Sequence, residues 1–196
     1  MKLPRKIEEH RRATISRTRL SKAKGFPKGV GYSIPIPRDL LASPAWRAMS
    51  HQCRKLVDAI MTEWADHGGE ENGRLKAPYD MLEALGMRRQ PTLDAIVEAG
   101  ALGIVVANRG QRSYGSRRVP SSYRLTWLGT PNGLTPSNEW LAIKTREEAH
   151  ARVRNALEAL ERERDAKRAI RVKRAAERAD KHRALADVTS NSSEAA

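Results

Sequence analysis

Cys53, Leu56, Val57, Ile60, Met61 and Trp64 recur at i, i+3, i+4, i+7, i+8 and i+11, a spacing that places all six on one stripe of an α-helix. No strand could hold them on one side. Ser50 precedes the stripe, where a hydroxyl can accept from the first free backbone N–H groups, and His67-Gly68-Gly69 follows it, where glycine supplies the positive φ that ends helices. A helix with so one-sided an apolar face must be covered by other elements, so a core is expected around it.

Those elements can be read on either side. SIPIPRDLLASPAWRAMS combines an extended, Pro-containing entry with a short helix, Ser43 and Pro44 serving as cap and first position, and Trp46 and Met49 pinning it to the core. After the turn GGEENG, the segment Arg74-Leu75-Lys76-Ala77 reads as short and extended. Pro78 opens a second helix through Tyr79, Leu82 and Leu85, which Gly86 ends. Met87-Arg88-Arg89-Gln90 is expected to be a tight connection, with Pro91 starting a third helix. Its inward stripe is expected to be Leu93, Ile96, Val97 and Gly100, leaving Gln90, Thr92, Asp94, Ala95, Glu98 and Ala99 outward. Gly103-Ile104-Val105-Val106-Ala107 and Tyr123-Arg124-Leu125-Thr126-Trp127-Leu128 carry strand signals, and the Gly- and Ser-rich GQRSYGSRRVPSS between them makes a long-looped antiparallel hairpin.

The flanks have a different character. Residues 1 to 28 hold ten Lys or Arg against two Glu and almost no large apolar residues, which predicts a flexible basic arm. GTPNGLTP is a linker by composition, and the chain is expected to divide at residues 131 to 137. From 138 to 187 an Ala-, Glu- and Arg-rich run without Gly or Pro predicts one long charged helix, followed by a disordered tail at 188 to 196. Val153, Leu157 and Leu160 could form a short seam, so that helix suits either a homodimer contact or a solvated rod.

Helix, extended segment, helix, tight turn, helix and hairpin is the element order of a winged helix. SPAWRAMS, ENGRLKAPYD, LGMRRQPTLDAIVEAGALG and YRLTWL resemble winged helix-turn-helix DNA-binding proteins of bacterial plasmids, phages and regulators. The resemblance implies a mainly α fold, a three-helix core plus β-hairpin wing within residues 29 to 130, with the third helix in the major groove of DNA and the wing on the backbone or minor groove. It supplies neither an operator nor a biological process; a double-stranded DNA-binding regulator of transcription, acting as a dimer because one helix reads only a few base pairs, in the bacterial cytoplasm on the nucleoid, is the leading expectation. A plasmid or phage replication initiator uses the same domain, and a protein or RNA interaction module is the alternative of another class.

Charge distribution tests that implication. The chain has 37 Lys and Arg against 23 Asp and Glu, a formal net charge of +14, which points to phosphate polymers or an anionic surface as partners. Residues 29 to 87 carry six basic and eight acidic residues, whereas residues 88 to 124 carry seven arginines against Asp94 and Glu98. The sign therefore reverses where the family would meet DNA. Arg88, Arg89, Gln90 and Thr92 are expected at base edges or adjacent phosphates, Gln90 suiting adenine, with Asp94 accepting from cytosine. Arg109, Arg112, Arg117 and Arg118 of the wing are expected on phosphates and Tyr114 against a sugar.

Other chemistry finds little footing. No apolar run reaches membrane-spanning length, and one cysteine, Cys53, permits neither an intrachain disulfide nor a thiolate cluster for zinc. Cys53 sits in the apolar stripe and reads as a core residue. The five histidines are scattered without HExxH spacing, and HGGEENG lacks the GK[ST] of a phosphate cradle, so no enzyme, metal or cofactor is expected.

Overall fold

The structure, a computed structural model, describes residues 34–108, 110 and 121–193, with side chains described to residue 178. The expected basic arm at 1 to 28 lies outside the described residues. The chain is mainly helical with a two-stranded antiparallel sheet. In order run α1 (Arg38–Ala42), α2 (Pro44–Ala48), α3 (His51–Asp66), α4 (Tyr79–Ala84), α5 (Arg89–Ala101), β1 (Val105–Asn108), β2 (Ser122–Leu125), a 3-10 turn (Glu139–Ala142) and α6 (Arg146–Ser193).

The caps form where the sequence places them. Ser43 Oγ accepts from Trp46 N at 3.1 Å and donates to Leu40 O at 2.7 Å, joining α1 to α2 across one residue. Ser50 Oγ accepts from Cys53 N at 3.1 Å and so starts α3. All six residues of the α3 stripe are buried, Leu56, Val57 and Ile60 completely. Each such side chain stabilises the fold by about 1.5–3 kcal/mol relative to exposure. Arg54 lies 5.6 Å from the ring centroid of Trp46, which meets Trp127 edge-on at 6.3 Å, and Trp127 Nε1 donates to Pro35 O at 3.1 Å. The entry segment is thereby fastened to the turn that follows β2.

β1 and β2 pair in the register Val105 to Leu125 and Ala107 to Tyr123. On the other side of β2, Leu75 forms a single antiparallel bridge with Tyr123, whose N–H donates to Leu75 O at 2.9 Å. The short extended segment is therefore one bridge wide. Asn72 secures it: its side chain accepts from Leu125 N at 2.8 Å and donates to Leu125 O, Leu128 O and Gly129 O. Nothing in the sequence pattern singled out this buried amide, because its partners lie more than fifty residues away.

Three expectations are corrected. The third helix begins at Arg89 and not at Pro91, because proline is tolerated throughout the first turn, where N–H groups have no intrahelical acceptor. Arg89 and Gln90 thus belong to α5. Secondly, α5 is rotated from the expected orientation: Thr92, Ala95, Glu98, Ala99 and Leu102 are buried, while Leu93, Ile96 and Val97 are half-buried and Gly100 is exposed. Small Ala95 and Ala99 let α5 approach the rest of the core closely.

Thirdly, the segment after 131–137 does not leave the core. Asn138 takes a left-handed conformation at φ 47°, the helix expected from it is broken into the 3-10 turn and α6, and Trp140, Ile143 and Ala149 are buried in the main cluster. Gly103, at φ +65°, allows this approach, since a Cβ there would stand 2.7 Å from the backbone of Glu139 and Trp140. The chain instead divides into compact units between Arg154 and Asn155. Without Gly or Pro to stop it, α6 runs to Ser193, into the segment expected as a disordered tail.

Candidate nucleic-acid interface

The connection between α4 and α5 is built to hold its ends. Gly86 takes φ +74°, Met87 N donates to Leu82 O at 2.9 Å, and the Met87 side chain is buried. Arg88 is then extended as the N-cap of α5, so Arg88, Arg89 and Gln90 emerge exposed at the start of the helix. The Arg89 guanidinium lies 5.1 Å from the centroid of the half-exposed Tyr79 ring at the start of α4. Stacking on an aromatic face limits the rotamers of a long side chain and leaves its N–H edge available for bidentate contacts. Tyr79 did not enter the expected site, and only its place at the start of α4 hinted at its proximity.

Of the expected helix residues, Arg88, Arg89 and Gln90 are brought together at one end of α5, and Asp94 follows one turn on, half-buried. Thr92 is a correction. It is fully buried, and its hydroxyl donates to Arg88 O at 2.8 Å, so it sets the start of the helix and has no surface to offer a groove. The reversed stripe is the cause: Thr92 shares a face with Ala95 and Ala99. In place of Ala95, Glu98 and Ala99, the outward row from Gln90 continues through Leu93 and Val97 to Gly100.

Arg109, Arg112, Tyr114, Arg117 and Arg118 lie outside the described residues. β1 ends at Asn108 and β2 starts at Ser122, so the chain connecting two paired strands carries these residues. Arg124 is committed elsewhere, donating to Glu139 Oε1 at 3.1 Å and to Ser137 Oγ at 2.9 Å. It is thus already ion-paired within the fold.

Two other places carry polar chemistry. Cys53 is completely buried, and burial, with the Glu98 charge adding and Arg54 opposing, pushes its thiol far above the usual range, as befits an inert core residue. A groove of about 420 Å³ is lined by Glu63, His67, Glu71, Arg74, Leu75, Lys76 and Ser122. Within it His67 Nδ1 stands 2.9 Å from Glu63 O and 3.6 Å from Glu63 Oε1, a contact within one helix end. Among the described residues no three His, Cys, Asp or Glu side chains gather as a metal-binding group, and no helix is long and apolar enough to cross a membrane.

Comparison of the chain with protein-family models, with curated proteins and with solved structures returned no match.

Proposed function

We propose that this chain is a non-enzymatic, double-stranded DNA-binding regulator of transcription built on a winged helix-turn-helix, with α5 as the recognition helix and the β1–β2 hairpin as the wing. The order α3, extended segment, α4, turn, α5, hairpin supports this reading, as does the bridge of Leu75 to Tyr123, which sets a third extended segment beside the hairpin. The observation that carries it is the exposure of Arg88, Arg89 and Gln90 at the N-terminal end of α5, the part of a recognition helix that meets base edges. The hairpin connection adds four arginines, Arg109, Arg112, Arg117 and Arg118, to the same stretch of sequence. One helix reads only a few base pairs, so action on symmetric half-sites by a dimer is part of the proposal.

Selection of bound fragments from a random duplex library, followed by competition with unrelated duplex and with RNA, tests it. A recovered consensus that unrelated DNA and RNA fail to displace is the expected result. Equal displacement by all three would remove the sequence-reading function, and preference for RNA would favour the interaction-module alternative.

A further inference from the structure

We infer that α5 reads thymine through its C5-methyl groups, using Leu93 and Val97, in a site whose adjoining bases and phosphates are met by Arg88, Arg89 and Gln90; the inference rests on the DNA-binding reading. The face of α5 opposite Thr92, Ala95 and Ala99 carries Gln90, Leu93, Val97 and Gly100 at i, i+3, i+7 and i+10. Leu93 and Val97 are half-buried and belong neither to the core cluster nor to the side chains packed against it, unlike their neighbour Ile96. Two branched aliphatics on the outer row of a helix that already has its core contact are an apolar surface wanting a partner.

The composition of the row selects that partner. It starts at two exposed guanidinium groups and an amide, chemistry that complements phosphate oxygens and the hydrogen-bonding edges of purines. DNA satisfies both halves of the row, with phosphates and purine edges at its start and methyl groups further along. On the major-groove edge of DNA the one apolar group is the thymine methyl. Residues four apart on a helix are separated by about 6 Å along its axis, close to two base steps of about 3.4 Å. A helix lying along the groove could thus set Leu93 and Val97 against methyls about two steps apart. Gly100 ends the row against β1, where a Cβ would stand 3.8 Å from Val105 O, and with Val97 it lines an open groove beside Val105, Val106 and Ala107.

The test replaces thymine by deoxyuracil, one position at a time, in the duplex that the full-length protein selects, deleting a methyl and nothing else. Affinity is expected to fall about fourfold at each of two positions, the worth of one buried methyl group. In the double variant L93A/V97A, thymine and deoxyuracil duplexes are expected to bind equally. Should that variant fail to fold, V97S decides, since Val97 is only half-buried and lies outside the core cluster, and removing both of its methyl groups is expected to abolish discrimination at one of the two positions. Indifference of the wild type to deoxyuracil, despite a clear sequence preference, would overturn the inference and leave the DNA reading standing. Absence of any preference would remove both. Discrimination that survives in the variants would overturn the inference, and loss of self-association in those same variants would assign the row to a contact between copies of the chain.

Discussion

Glu98, in the last turn of α5, accepts from both the backbone N–H and the hydroxyl of Ser50, at 2.5 and 2.6 Å, while the same hydroxyl accepts from Cys53 N to cap α3. The carboxylate is thus the far end of a cap that begins one helix and is held by another. It also lies beside the positive end of the α3 dipole, where a negative charge is favoured. Glu98 is 6% exposed, so water cannot replace these bonds cheaply.

Replacing Glu98 by Ala is therefore expected to destabilise the protein by about 2–3 kcal/mol, the range for lost bonds to a charged group that leave a donor unmet. Gln should cost less, since it still accepts one of the two bonds. Urea unfolding followed by helical circular dichroism measures both. Equal stability of the Ala variant and the wild type would contradict the role of this carboxylate as the anchor of the α3 cap.

The contrast between α3 and α5 shows what the sequence carried. In α3 only one face is apolar, so its spacing located the core, and Ser50 and Gly68 located its ends. In α5 apolar residues occur on both faces, and Thr92, Ala95, Ala99 and Leu102 have as good a helical spacing as Leu93, Ile96, Val97 and Gly100. Residue size cannot decide between them, because close approach to neighbouring elements favours Ala over the larger aliphatics. The distant acceptor role of Glu98 would have decided it, but a carboxylate on a helix reads as solvated until its partner is known. For the same reason the exposed pair Arg88 and Arg89 was legible, whereas Tyr79 beneath Arg89 and the amide of Asn72 were not.

Tyr79 supports Arg89 through its ring face and not its hydroxyl. Tyr79→Ala is expected to weaken specific DNA binding by about 0.5–1 kcal/mol, the worth of an exposed cation–π contact, while Tyr79→Phe leaves it unchanged. Fluorescence anisotropy on the selected duplex measures both. A loss with Phe equal to that with Ala would assign the effect to the hydroxyl and remove the stacking role.

If the turn, wing and arm together neutralise about six phosphates, log K against log salt should fall with a slope near −5, from about −0.9 per phosphate. The double variant R88A/R89A should reduce the magnitude of that slope by up to about 2. Arg124→Ala should leave the slope intact, because its guanidinium is held by Glu139, and should cost no more than about 1 kcal/mol of stability, as a partly exposed ion pair does. A slope near zero for the wild type, or one altered more by Arg124 than by Arg88 and Arg89, would contradict the proposed surface.

Tyr123 pairs with Ala107 and bridges to Leu75, and burial, with a smaller contribution from Tyr79, pushes its phenol up to about 12. Its unfolded value is near 10, so above that pH the unfolded chain gives up a proton that the folded protein keeps. With the native state binding more protons, stability falls as pH rises: this contribution is complete below pH 10 and is lost progressively between about pH 10 and 12. Tyr123→Phe keeps the ring and removes the proton. Unfolding curves from pH 8 to 12 should therefore show the wild type losing stability relative to the Phe variant only above pH 10. Parallel curves across that window would mean that the phenol reaches water in the native state, and that the Leu75 bridge does not close over it.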